Sequence, residues 1–287
     1  MSSTTHTSNS TMRSLHDRFD FPHLLAATLV LVGATILLGV AAKATGSGLG
    51  CEANWPRCDA GPFNLFPAHI VSFYEWFHRF VSMFAGFAII GTAVASIRLA
   101  DVDRRVTALV VLGMILTPIQ VALGRETVQQ YTTDILSLHF WTAILIFTLF
   151  VVATILVWAP RLTGGQVTTA LIVGALTVPV HVGLSLFYLS PGASYPPRVQ
   201  IAQYGVSLAV VSVGVFVALV GRRRFDKTRV RSVLSVSLVL AYLTVFFGRQ
   251  SVAGFNQLVD ITYLGLATVL TVTFAVGVLL TRASSRS

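Results

Sequence analysis

Eight stretches of about 20 apolar residues, parted by short polar segments, dominate the chain. They fall at 23–43, 70–97, 106–123, 134–158, 166–189, 199–220, 230–248 and 260–281. About 20 such residues are enough to cross the hydrocarbon of a bilayer. Lipid offers a backbone no hydrogen-bond partner, so each run is expected to be a helix. The expected fold class is an all-α integral membrane protein of eight transmembrane helices. The first run is too long for a signal-peptide core and continues into Lys43-Ala44-Thr45-Gly46, so it reads as a retained span. Residues 1–22 form a Ser/Thr-rich polar tail.

Composition agrees with this pattern. Only 11% of the 287 residues are charged and 54% are hydrophobic, against about 25% charged in soluble domains. That excludes a water-soluble enzyme, a disulfide-stapled secreted module and a disordered chain. The net charge of +9 would suggest nucleic acid in a soluble protein. Here the cations sort by loop instead. Arg13, Arg18, Arg98, Arg104, Arg105, Arg161, the group from Arg222 to Arg231, Arg282 and Arg286 all fall on one side. Lys43, Arg57, Arg125, Arg198 and Arg249 fall on the other, with Arg79 just inside a helix. The richer side is expected to be cytoplasmic. Both termini then lie inside, in the cell membrane, and the loop 44–69 lies outside, where disulfides persist. No nucleic-acid partner is expected, because topology accounts for the arginine run.

The chain also carries a repeat. Leu123-Gly124-Arg125-Glu126 closes the third run, and Phe247-Gly248-Arg249-Gln250 closes the seventh, 124 residues later. Four spans per unit give both halves the same orientation. The expected architecture is therefore two pseudo-symmetric four-helix bundles, residues 23–160 and 161–287. Bundle cores are places where facing helices hold cofactors.

Ionisable side chains in apolar spans are costly, and each is a functional candidate. Glu75 and His78 stand three apart in Tyr74-Glu75-Trp76-Phe77-His78-Arg79 and share a helical face. His139 lies in the fourth run at a comparable depth from the outer face. Two histidines on different helices of one bundle suit bis-imidazole ligation of haem iron. Phe73, Trp76, Phe77, Phe80, Phe84, Phe140 and Trp141 supply large apolar surroundings. Interhelical hydrogen bonding by these histidines is the plainer alternative. Zinc held by Glu75, His78 and His139 lacks an evident fourth ligand. His23 and His69 read as interfacial, and Asp134 and Asp260 as caps at helix starts. His181 lies within the fifth run and is open to a binding role.

The outer loop is the most distinctive stretch: Ala44-Thr45-Gly46-Ser47-Gly48-Leu49-Gly50-Cys51, then Trp55-Pro56-Arg57-Cys58. The cysteine spacing permits a disulfide. Such a pair is either a loop staple or a redox-active couple. Arg57, Arg79 and Arg125 near the outer face suit carboxylates such as haem propionates, or anchor helix ends at lipid headgroups.

Taken together, Ala44-Thr45-Gly46-Ser47-Gly48, Cys51…Trp55-Pro56…Cys58, Glu75-x-x-His78-Arg79 and His139 resemble the heme A synthase family. The resemblance covers most of the chain, but its specific motifs all lie in the first half. It implies oxidation of a methyl substituent of heme O to the formyl of heme A by successive hydroxylations. It implies His78 and His139 as iron ligands, with Arg79 and Arg125 beside the haem. Glu75 becomes the carboxylate near the reacting edge. Cys51 and Cys58 become the outer-loop disulfide, relaying reducing equivalents or holding the lid of the site. The partners implied are heme O, the synthase that supplies it and the lipid bilayer. A homo-oligomer is compatible with the sequence.

The family also implies a heme b in the second bundle, and there this chain departs. A shift of 125 carries Glu75 to Gln200 and His78 to Gln203, followed by Tyr204 instead of Arg; a shift of 124 carries His139 to Tyr263. The loop Ser190–Pro197 has no cysteine. The second bundle is therefore expected to lack its customary haem ligands and to serve as structural support. An altered site using His181 and Tyr263 is the alternative. Two rivals remain for the whole chain. One is a non-enzymatic b-type cytochrome or haem carrier with the same ligands. The other is a transporter, which the clustering of ionisable residues toward the outer face disfavours.

Overall fold

The computed structural model describes residues 20–51, 54–58, 66–189, 195–253 and 256–284. Arg13, Arg18 and Arg286, most of the polar tail, parts of the outer loop and residues 190–194 of the second outer loop lie outside the described residues. Eight long helices follow one another: α1 Phe21–Ala44, α2 Phe73–Arg98, α3 Arg104–Gln129, α4 Thr133–Trp158, α5 Gly164–Leu189, α6 Pro197–Arg224, α7 Thr228–Ala253 and α8 Gln257–Ser284. All eight are long and apolar enough to cross a membrane, and no strand occurs among the described residues. The protein is a multi-pass, all-α membrane protein.

Hydropathy locates each helix but not its end. The apolar run of α3 stops at 123, yet the helix continues to Gln129; α7 likewise runs to Ala253. Backbone hydrogen bonds carry a helix past the point where its side chains turn polar. The extra turns place Arg125 and Arg249 on helices. Helix starts follow local capping chemistry. Asp103 accepts from the Arg105 amide at 2.7 Å, and Thr132 accepts from Ile135 at 3.4 Å. Asp134 occupies the first turn of α4 behind that Thr132 cap. At α8 the capping oxygen belongs to Asn256, which accepts from Leu258 and Val259. Asp260 is not that cap. It accepts from the Ser251 hydroxyl and ties α8 to α7.

Helices α1–α4 pack in a ring, each on its neighbours with α4 closing on α1, and α5–α8 repeat that order. This is the arrangement that two related four-helix bundles require. The bundles meet where α6 lies against α1 and α4. Large apolar side chains such as Leu176, Leu258 and Leu279 are exposed, as a lipid-facing surface demands. Hydroxyls are buried between helices instead. Thr28 bonds Thr92 at 2.8 Å, and Thr168 bonds Thr281 at 2.9 Å.

The α6–α7 contact depends on Gly214. A Cβ added there would lie 2.9 Å from Ala241 Cβ and 3.5 Å from Leu238 Cα. These atoms are fixed to the backbone and cannot swing aside. Gly214→Val is expected to cost about 1–3 kcal/mol through overpacking. That appears as a lower thermal midpoint in detergent; an unchanged midpoint would mean the helices have room to part.

Candidate functional site

The centre of the first bundle is a cavity of about 1560 Å³. Ordinary small-molecule pockets have about 300–1,000 Å³. His78 of α2 and His139 of α4 both line it, as do Glu75, Arg79 and Gln120. Each imidazole has a glycine opposite. A Cβ on Gly39 would fall 3.0 Å from His78 Cε1, and one on Gly124 would fall 3.2 Å from His139 Cε1. Nδ1 of both rings is buried without a hydrogen-bond partner. The one side-chain neighbour of His139 is Gln120, whose amide nitrogen is 3.4 Å from Nε2, a long contact. His78 also has the Thr35 backbone of α1 within hydrogen-bond reach, so each imidazole has one contact to a neighbouring helix and an Nδ1 without a partner.

Glu75 sits at the end of the cavity nearest the disulfide loop, in the first turn of α2, and is only 8% exposed. Its Oε1 accepts from Arg79 Nε at 2.8 Å. Arg79 Nη1 donates to the carbonyls of Asn54 at 2.8 Å and Arg57 at 2.9 Å. One guanidinium therefore ties the carboxylate to the outer loop. The loop is held further by Ser47, which accepts the Glu75 amide at 3.0 Å, and by Ser72, which donates to Gly50 O at 2.6 Å. Glycine is required at two points. Gly46 has φ +73°, and a Cβ on Gly50 would press on Ser47 O and Ser72 Cα at 3.0 and 3.1 Å. Cys51 and Cys58 form a disulfide, and both are buried.

Trp76, Phe80 and Phe140 line the cavity as their spacing suggests, whereas Phe73, Phe77, Phe84 and Trp141 do not. Trp141 packs on Phe246 instead. Arg125 is not among the lining residues. With the Gln129 amide oxygen turned toward it, Arg125 donates at 3.2 and 3.3 Å. His23 bonds Asp20 at the start of α1, and this contact holds the Asp20 carboxyl below its ordinary range. His69 precedes the short turn Ile70–Ser72 that leads into α2. Among the described residues no three His, Cys, Asp or Glu are grouped as metal ligands.

Several lining residues were not singled out as site residues from the sequence. Gln120 is polar within an apolar run, and that was its signal. Tyr131 follows α3 near Glu75; burial and then the Glu75 charge push its phenol up. Lys43, Gln200, Tyr204 and Arg249 also reach the cavity. The last three come from α6 and α7, so the second bundle helps to wall the first.

The second bundle has no such opening around its own histidine. His181 Nδ1 bonds the Tyr263 hydroxyl at 2.7 Å, and Nε2 bonds Ser207 Oγ at 2.8 Å. Ser185 lies 3.0 Å from the same hydroxyl and also accepts from Gln203 at 2.5 Å. Tyr263 is wholly buried. A Cβ on Gly248 would meet both the His181 and Tyr263 rings at 2.8 Å. The same Gly-Arg repeat thus backs His139 in one half and a closed polar cluster in the other.

The family model described as COX15-CtaA, cytochrome oxidase assembly protein, matches residues 22–190. The chain belongs to that family. The match contains the whole first bundle, the disulfide loop, Glu75, His78 and His139, and stops before α6. Among relatives, the heme A synthase of Bacillus licheniformis is 31% identical over 136 residues, 47% of this chain and 42% of that protein. The heme A synthase of Geobacillus kaustophilus is 28% identical over 137 residues, 47% and 41% respectively. The protoheme IX farnesyltransferase of Haloarcula marismortui is 33% identical over 133 residues, 46% of this chain and 28% of that protein. The chain thus spans less than half the length of these relatives. No solved structure matches it.

Proposed function

We propose that this family member is a heme A synthase-like oxidoreductase of the cell membrane, with both termini cytoplasmic, that binds heme O in the first bundle and oxidises its methyl group to a formyl. The observation that carries the reading is the pair His78 and His139: two half-buried imidazoles, each with a buried Nδ1 that has no partner, on different helices, lining one cavity larger than small-molecule pockets. The donor set fits haem iron, since paired imidazoles are axial ligands and, among the described residues, no competing group of metal ligands surrounds them. Relatives named for farnesylating protoheme IX and for making heme A both match about half the chain. A farnesylated protohaem fits as the substance between those two names.

Conversion of the methyl to a formyl takes up one oxygen atom and, with water as its source, releases four protons and four electrons; the iron, when bound, would pass those electrons singly to an external acceptor. The protein's own residues do the rest. His78 and His139 hold the macrocycle, and Trp76, Phe80 and Phe140 exclude water from it. Glu75 accepts protons released as the methyl is oxidised, or stabilises positive charge developing there. Arg79 fixes the carboxylate's position. The buried Cys51–Cys58 disulfide holds the loop whose carbonyls hold Arg79.

A second haem does not fit α5–α8. Both ring nitrogens of His181 are engaged, Tyr263 is sealed, and Gln203 is a poor iron ligand. That observation favours one rival, a haem carrier that performs no chemistry, because it removes a customary electron route. Haem extraction from protein made in cells supplying heme O decides between them. The expected result is one haem per chain, with heme A or its hydroxylated intermediate present, and the same ratio in His181→Gln. Unmodified heme O or heme B alone, with an electron partner present, would support the carrier; no haem would overturn both readings.

A further inference from the structure

Arg249 belongs to α7 of the second bundle, yet it lines the first bundle's cavity. It is 9% exposed and follows directly on the apolar run of α7, and a buried cation without a counter-charge is costly. Its Nη1 donates to Ser137 of α4 at 3.0 Å, and its guanidinium lies 4.8 Å over the Phe140 ring, next to His139. Its Nε has no hydrogen-bond partner. Lys43, in the last turn of α1, lines the same cavity and stands within electrostatic reach of Arg249. Among the described residues neither cation forms an ion pair with a carboxylate. Both cations face one largely apolar cavity, and the carboxylate that lines it, Glu75, is bonded to Arg79 instead.

Of the three arginines expected from the sequence to meet carboxylates, Arg57 and Arg79 also line the cavity and Arg125 does not. Arg57 is exposed, and Arg79 commits Nε and Nη1 to Glu75 and the loop carbonyls, leaving only its buried Nη2 without a partner. We propose that Lys43 and Arg249 form the carboxylate subsite of the cavity, binding the two acid side chains of the porphyrin. The second bundle would then contribute a residue to the first bundle's site, which explains why it persists without a haem of its own. The proposal rests on the haem reading above and names what orients the ligand. Arg pairs with carboxylates through a planar fork, and Lys adds a point charge.

The test compares ferric protoporphyrin with its dimethyl ester, which differ only at the two carboxyl groups. Each is titrated into the full-length, haem-free protein in detergent, and binding is read from the absorption spectrum. The wild type is expected to bind the diacid about 10- to 100-fold more tightly, the range of a charge-assisted hydrogen bond. Lys43→Gln and Arg249→Gln each narrow the ratio, and the double variant brings it near one, while affinity for the ester is unchanged. Arg249→Lys keeps part of the preference. An equal ratio in wild type and double variant would overturn the proposal. Loss of both porphyrins from the variants alone would also overturn it, by making Arg249 a clamp between bundles through Ser137. Failure of the wild type to bind either porphyrin would overturn the haem reading and this proposal together.

Discussion

Replacing His78 or His139 with alanine is expected to lower the haem content of the purified protein by more than about tenfold and to abolish the bis-imidazole spectrum. The reason is geometric. Each ring stands over a glycine, and neither has a close side-chain partner that could take its place. Removing an imidazole enlarges an existing cavity and gives up one contact, to Gln120 for His139 or to the Thr35 backbone for His78, so the bundle should stay folded. Added free imidazole is expected to restore the spectrum in part by entering the vacated space. Recovery of that kind separates loss of a ligand from loss of the fold. Full haem content with an unchanged spectrum in either variant would remove that histidine from the ligand set. His181→Gln should behave oppositely. Its two hydrogen bonds serve the second bundle, so haem content holds while thermal stability falls.

Glu75→Gln is expected to separate binding from chemistry. Glutamine has the same shape, and its carbonyl oxygen can still accept from Arg79 Nε, which now holds Glu75 at 2.8 Å. The loop therefore keeps its anchor, and haem affinity should change by no more than about threefold. The variant loses the negative charge and the capacity to take up a proton. General acid–base groups contribute about 10²–10⁴ in rate, so formyl production should fall by at least about a hundredfold with heme O retained. Chromatography of the extracted haems measures both quantities in one sample. Formylation at the wild-type rate would show that Glu75 only positions the loop through Arg79.

The helices were legible because their signal is local and redundant. Twenty apolar residues have one good solution in lipid, and eight such runs specify the count. His78, His139 and Glu75 were legible for a related reason: polar groups inside those runs are rare and expensive, so each marks a site. The aromatic belt was less so. Phe77 and Phe84 read as well as Phe80 for a porphyrin neighbour, yet only Phe80 reaches the cavity. Helical spacing tells which residues share a face, but not where the partner helix stands.

The sequence by itself determined an eight-helix membrane protein and its family, and it singled out two histidines and an acidic residue that line one cavity. Local composition and short spacings carry all of these. Only the tertiary structure decided that Arg249 enters the first bundle while Arg125 does not, although the repeat makes them equivalents. It also decided that His181 closes a polar cluster instead of facing an open cavity. The first outcome depends on how α6 and α7 pack against the first bundle, the second on how α5, α6 and α8 pack together. Arg249 meets Ser137 across 112 positions and His181 meets Tyr263 across 82, and no spacing within a single helix encodes such contacts.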